Sequence, residues 1–246
     1  MNPTGIDRDY IRQTLKASIN NLKQIFGKQE SVYTYYQNLD VLFVAMPKVA
    51  NSSINYLLIE RAGLLPEDTS HYKSIHVVKN RLRISRHMLR KLPATTFRFA
   101  FVRNPFDRIA SLYVNKILHE DHAITRKFFG LIHPGISFSA FAKAIACIPD
   151  RLADAHFKSQ YSWLYDRGQC LVDFIGHYET LADDFRPIQK RYHLGDLPSL
   201  NTAMKTELDE LYDRRSAENV YRRYRKDITT FGYENSCQAF ISTRQA

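Results

Sequence analysis

Short unbroken runs of apolar residues alternate along this chain with stretches whose apolar positions recur at helical spacing. Val41-Leu42-Phe43-Val44-Ala45-Met46 has no polar member, as a strand buried on both faces requires. Ile54, Leu57, Leu58 and Ile59 then share a helical face. A helix over about 52–62 is expected there, ended by Gly63 as a left-handed cap with Pro66 beyond it. Thr96–Val102 reads as a second buried strand. Asn104-Pro105 supplies a capping side chain and a proline at the first helical position, opening a helix through Ile109, Leu112, Tyr113 and Ile117. Leu171–Ile175 reads as a third strand. Leu181, Phe185, Ile188 and Tyr192 mark an amphipathic helix ending near Gly195, with Pro187 placed to bend it or shift its start.

Outside these units the pattern is weaker. Ile11, Leu15, Ile19, Leu22 and Ile25 trace one face of a helix within residues 1–38, and Phe138, Phe141 and Ile145 do the same within a segment, 118–165, that reads as helical. Repeated strand-helix units predict the α/β class, with a central, mostly parallel sheet flanked by helices. No repeat, linker or low-complexity tract divides the 246 residues. A single domain over 1–246 is expected, with its core at about 40–235 and a helical N-terminal extension over 1–38.

Composition narrows the function classes. The hydrophobic content of 44% suits a globular chain, and no apolar run is long enough to span a bilayer or to form a secretory signal core. No membrane span and a cytoplasmic location are expected. Cys147, Cys170 and Cys237 are odd in number and lack CxxC spacing, so they read as buried thiols, with neither a disulfide framework nor a zinc site. The net charge is +10, and no acidic residue stands between Asp68 and Asp107. Such a field favours an anionic ligand. Arg86, Arg90 and Lys91 within it read as a solvated basic face, and no stacking motif, zinc finger or recognition-helix pattern accompanies the charge to indicate nucleic acid.

The candidate chemistry lies in two places. Met46-Pro47-Lys48-Val49-Ala50-Asn51-Ser52-Ser53-Ile54 joins the first strand to its helix, where backbone N–H groups at a turn and a helix N-terminus form an anion site. Lys48 precedes Ser52 and Ser53, whereas the loop of a nucleoside triphosphatase has Lys directly before Ser/Thr after a GxxxxG spacing; this order argues against an ATPase. The second place is Phe99-Ala100-Phe101-Val102-Arg103-Asn104-Pro105-Phe106-Asp107-Arg108-Ile109-Ala110-Ser111-Leu112-Tyr113. Ligands of open α/β sheets bind outside the carboxyl ends of the strands, so Arg103 and the 46–54 loop can face one crevice. Arg103 has the fork to clamp a phosphate, and Ser111 can add a hydroxyl. Asp107 and Arg108 read as helix-terminal charges.

Taken together, MPKVANSSI and FAFVRNPFDRIASLY resemble the 5'-phosphosulfate loop and the 3'-phosphate motif of the sulfotransferases, and more narrowly sulfotransferase family 2, which contains the carbohydrate sulfotransferases. Asp154-Ala155-His156-Phe157-Lys158-Ser159-Gln160 resembles that family's DxHFxxQ stretch, Asp173–Leu181 its DFIGxxETL stretch, and Asp227–Tyr233 its closing DxxxFGY. The resemblance covers about 40–235 and implies a P-loop-like three-layer α/β fold with 3'-phosphoadenosine 5'-phosphosulfate (PAPS) as donor. By position, Pro47, Lys48, Val49, Ala50, Asn51, Ser52 and Ser53 would hold the 5'-phosphosulfate, and Arg103 and Ser111 the 3'-phosphate. Ala50 stands where glycine is frequent and Asn51 where a small hydroxyl or cysteine residue is common. The missing membrane anchor departs from Golgi members and points to a soluble, bacterial-type relative.

The implied reaction is in-line sulfuryl transfer to a hydroxyl of a carbohydrate or glycolipid, governed by positioning and charge stabilisation, as in phosphoryl transfer. Lys48 would neutralise charge on the leaving oxygen, with each preorganised donor worth ~3 kcal/mol. The chemistry requires no metal, and no metal-ligand spacing is present. An alcohol needs a general base. Nine histidines compete, and in the family the base comes from the segment between the two phosphate motifs, which holds His71, His76 and His87. His76 is preferred because Ile75-His76-Val77-Val78 reads as a short strand, and His156, with Gln160 beside it, is the alternative base or an acceptor contact. Trp163 and Tyr233 read as core; Glu179 reads equally as a ribose or basic-side-chain contact or a helix-start carboxylate. Two other readings stay open: a nucleotide kinase, and a non-enzymatic binder of polyanions using the basic field over 69–106.

Overall fold

The structure is a computed structural model that describes residues 31–65, 72–118, 131–198 and 209–244. Strands β1 (Tyr33–Tyr36), β2 (Val41–Val44), β3 (Arg83–Ile84), β4 (Phe97–Val102) and β7 (Phe174–His177) form one sheet in the order β3-β1-β2-β4-β7. The strands β5 (Tyr165–Asp166) and β6 (Gln169–Cys170) form a separate antiparallel ribbon. Helices α1 (Asn51–Arg61), α2 (Tyr72–Arg81), α3 (Pro105–Leu112), α4 (Phe138–Cys147), α5 (Gln160–Leu164), α6 (Leu181–Tyr192), α7 (Arg214–Arg223), α8 (Arg225–Thr230) and α9 (Glu234–Ser242) flank the sheet or pack among themselves, as α7 does on α4.

The expected α/β architecture is present. β2 pairs parallel with β4, and β4 parallel with β7, while β1 runs antiparallel to β2 and to β3. Val41–Val44 and Phe99–Val102 are fully buried, which explains why both read as unbroken apolar runs. Their phenylalanines build the centre of the core. Phe43 stacks on Phe99 at 4.9 Å, and Phe101 meets Phe99, Phe174 and Phe185 at 6.0–6.3 Å. Geometries of this kind each add about 0.5–1.5 kcal/mol beyond their buried area.

Several local readings change. The helix traced by Ile11–Ile25 lies outside the described residues, but 33–36, assigned to it, form β1. This segment is a run of aromatic and β-branched residues, and its hydroxyls find distant partners: Tyr33 donates to the Trp163 carbonyl at 2.7 Å and Tyr36 to Asn55 Oδ1 at 2.7 Å. The third strand starts at Phe174, not Leu171. Arg167 and Gly168, both left-handed, turn the β5–β6 hairpin, and the Leu171 N–H is taken by the Leu164 carbonyl. Ile75–Val78 belong to α2 and form no strand. Of the described part of 118–165, only α4 and α5 are α-helical, because Pro134-Gly135 and Pro149 interrupt the chain. Cys237 is buried, whereas Cys147 and Cys170 are exposed. The basic face of Arg86, Arg90 and Lys91 is solvent-exposed in part, and it is also anchored: Arg86, with its side chain 40% exposed, donates to the carbonyls of Ser162 and Tyr165, and the exposed Arg90 pairs with Asp166 at 3.1 Å.

Gly176 explains why β7 sits so close to β4. It pairs with Phe101, and a Cβ added there would lie 2.4 Å from Phe101 Cε1. The ring cannot retreat, because Phe99, Phe174 and Phe185 surround it. Gly176→Ala is therefore expected to destabilise the fold by about 1–3 kcal/mol through overpacking, with secondary structure retained, as read from the urea midpoint and circular dichroism.

Candidate active site

The chain leaves β2 through a strained turn. Lys48 and Ala50 both have positive φ, 71° and 57°, a region that costs a non-glycine residue about 1 kcal/mol or more. Alternation of left-handed residues curls the backbone so that its N–H groups converge, and Ala50 opens directly onto the N-terminus of α1. Asn55, fully buried one turn into α1, donates to the Asn51 carbonyl at 2.6 Å and to the Asn51 side chain, while accepting from Tyr36. Asn51 is thereby tied to the core. Ser53 donates its hydroxyl proton to the Pro198 carbonyl at 2.9 Å.

β4 ends beside this turn, and Arg103 is held there on three sides. The Gln160 amide grips its backbone, accepting from the N–H and donating to the carbonyl, each at 2.9 Å. Arg103 Nη1 donates to the Lys48 carbonyl at 3.3 Å, and its guanidinium lies 4.3 Å from the centre of the Tyr178 ring. Its Nε is buried and has no hydrogen-bond partner among the described residues. Asn104 caps α3, accepting from the Phe106 N–H at 2.9 Å, and Ser111 is buried one face along. Past Ser111 the helix loosens into a π turn, Tyr113–Leu118, that carries Lys116.

Further side chains support this pair of motifs from behind. Glu179 accepts from the Asn104 N–H at 2.7 Å and from the Tyr233 hydroxyl at 2.9 Å, so it is a brace for the 103–104 corner. Asp227 is fully buried and caps α5, accepting from the N–H groups of Gln160 and Tyr161 at 2.9 and 2.8 Å; burial raises its pKa to about 6. Trp163 and Tyr233 are both core residues. Asp107 lies in the first turn of α3, as expected, but Arg108 is no terminal charge. It is entirely buried, donating to the carbonyls of Pro47 and His156.

The electrostatics are one-sided. Burial lowers the pKa of Lys48 to about 8, helped by Arg103 and Lys116. His76, on α2, is lowered to about 4 by burial and by Lys79, Arg83, Lys116 and His156. Lys116, overlooked in the sequence, therefore connects the surroundings of Lys48 and His76, and His156 joins the same region. His87 is exposed on a 3-10 turn, and His71 lies outside the described residues. His156 has a different setting: its Nδ1 is 2.6 Å from Asp154 Oδ1, which also accepts the His156 N–H at 3.0 Å. The DxH spacing is the signal for this pair. A carboxylate on Nδ1 fixes the proton there and leaves Nε2 as the acceptor.

The sequence matches the profile of a family described as "Sulfotransferase family" over residues 32–234. Among curated proteins it is similar to "Carbohydrate sulfotransferase 10" of Homo sapiens, 25% identical over 232 residues that cover 79% of this chain and 64% of that protein, and to its Xenopus laevis counterpart at 24%. It is also similar to "Carbohydrate sulfotransferase 12" of Mus musculus, 27% identical with 78% of this chain and 58% of that protein covered. The chain thus spans less than two thirds of the length of these relatives. No solved structure matches.

The turn geometry carries its own test. Ala50→Gly removes the steric cost of the left-handed conformation and is expected to stabilise the protein by roughly 1 kcal/mol, less the entropy of a freer unfolded chain. Urea unfolding checks the sign; a loss of stability would mean that the positive φ of Ala50 is not a strained one.

Proposed function

The chain belongs to the sulfotransferase family, and we propose that it transfers a sulfuryl group from PAPS to a hydroxyl of a carbohydrate or glycolipid acceptor. The observation that carries this reading is the pairing of Lys48 with Arg103, whose buried Nε lacks a partner among the described residues, at the mouth of a turn curled for anion binding. The charges acting on Lys48, from Arg103 and Lys116, are cationic, which suits a ligand that brings several negative charges. Lys48 and the backbone of 47–53 would hold the 5'-phosphosulfate, and Arg103 and Ser111 the 3'-phosphate. Ser53 would contribute its hydroxyl only on leaving the Pro198 carbonyl. The names of the curated relatives support a carbohydrate acceptor.

Sulfuryl transfer breaks the S–O bond to the nucleotide phosphate, forms one to the acceptor oxygen and delivers the acceptor proton to a base. Lys48 supplies positive charge where the leaving oxygen gains negative charge. For the base, the geometry favours His156 over His76. Asp154 orients the His156 ring and stabilises the imidazolium that proton uptake creates. His76, with its pKa pushed to about 4, is a weak base and suits a neutral hydrogen-bond contact to the acceptor. The family match and the Lys48 setting support this reading over the kinase and polyanion-binder ones.

Radiolabelled PAPS offered with a panel of glycans and glycolipids tests the proposal, and a folded protein without affinity for PAPS or for its product 3'-phosphoadenosine 5'-phosphate (PAP) sinks it. Lys48→Ala is expected to lower turnover by roughly 10²–10³-fold, as loss of a preorganised charge contact does. In the free protein, Lys48 loses its proton as pH rises through about 8, and a bound polyanion raises its pKa again. PAP binding should therefore take up protons and weaken above pH 8. Calorimetry in buffers of differing ionisation enthalpy checks this, and Lys48→Met should abolish the uptake.

His156→Asn is expected to reduce turnover by about 10²–10⁴-fold with PAP affinity unchanged, and His76→Asn by much less. A larger loss for His76→Asn than for His156→Asn would reverse the assignment of the base.

A further inference from the structure

We propose that Arg108 is a positioning residue that fixes the separation between the donor loop and the base, an inference that rests on the sulfuryl-transfer reading. Its guanidinium joins two segments far apart in sequence. Nε donates to the carbonyl of Pro47, immediately before Lys48, at 3.4 Å, and Nη2 donates to the carbonyl of His156 at 3.2 Å. His156 is thus held twice, its backbone by Arg108 and its ring by Asp154.

The residue type fits this task and is expensive for any other. Arg108 is entirely buried, and a buried cation is retained at a cost that an apolar side chain of similar size would not carry. Burial opposes its charge most, Tyr224, Asp227 and Asp150 favour it and Arg223 opposes it, so the site is not a simple ion pair. A planar fork presents donors on separate nitrogens in fixed directions from one rigid group, whereas the three donors of an ammonium all sit on a single nitrogen at the end of a flexible stem. In-line transfer depends on the distance between the atom that leaves and the atom that accepts the proton, and these are governed by the loop at Pro47-Lys48 and by His156. One guanidinium ties together the two backbone segments that carry these groups.

The test uses the full chain, with PAP as the binding probe and the release of PAP from saturating PAPS, water serving as acceptor, as the turnover. Arg108→Lys keeps the charge and loses the fork. It is expected to fold, to bind PAP within a few-fold of wild type, and to turn over about hundredfold more slowly, the cost of a misplacement on the order of 1 Å. Introduced into His156→Asn, the same change should add little, because its effect runs through the base. Unchanged turnover in Arg108→Lys, or fully additive losses in the double variant, would overturn the proposal and leave a purely structural arginine. Wild-type protein that binds no PAP removes the sulfuryl-transfer reading itself, and this proposal with it. Should Arg108→Lys not fold, the assigned Arg108 Nε–H resonance of wild-type protein decides: it should shift on addition of PAP, and an unmoved resonance overturns the assignment.

Discussion

Everything in the crevice depends on the parallel pairing of β2 with β4. In that register Val44 lies beside Ala100, so the two strands run out of the sheet side by side and in the same direction. The turn after β2 and the corner after β4 are therefore neighbours, which is why the carbonyl of Lys48 and the guanidinium of Arg103 can meet. An antiparallel pairing of the same strands would put these groups at opposite ends of the sheet. The phenylalanine stack along β4 and the close approach of β7 at Gly176 hold that pairing rigid.

A second layer of the structure turns adjacency into a site. Residues from the C-terminal half reach back to the corner at 103–104 by two routes. Asp227 holds α5, whose first residue, Gln160, grips Arg103; Tyr233 holds Glu179, which grips Asn104. Both routes end on backbone groups, so they set where the chain is while leaving side chains to face a ligand. Asn55 does the corresponding work on the other strand by tying Asn51 to Tyr36. The cationic charges are then confined in a region that burial has partly stripped of water, which is what lowers the pKa of Lys48.

How much of this could be read beforehand follows from how local each feature is. β2, β4, α1, α3 and the loop between β2 and α1 announce themselves in consecutive residues: apolar runs, Asn104-Pro105 as a cap, Lys48 ahead of two serines. β1 escaped because the weak helical pattern before it was carried too far into an aromatic, β-branched segment. His76 was assigned to a strand because four residues, three of them β-branched and apolar, look extended in isolation, whereas the neighbouring chain continues the helix. The bracing contacts were beyond any local pattern. Gln160 and Arg103 are 57 positions apart, and Arg108 and Pro47 are 61 apart, so only the folded topology reveals that they touch. The motifs marked where such residues stand without marking which of them face a ligand.

The grip of Gln160 on Arg103 has a chemical corollary. At Val102 the chain still has strand neighbours, and one residue later the side-chain amide takes over as a substitute partner, supplying one acceptor and one donor to the same residue. The amide does both; a carboxylate of nearly identical size accepts twice and donates nothing. Replacing the amide nitrogen by an oxygen, as in Gln160→Glu, would turn a complementary contact into a repulsive one against the Arg103 carbonyl, within an interior that also contains Asp227. The seat of Arg103 is thus sensitive to a single nitrogen atom that carries no charge of its own.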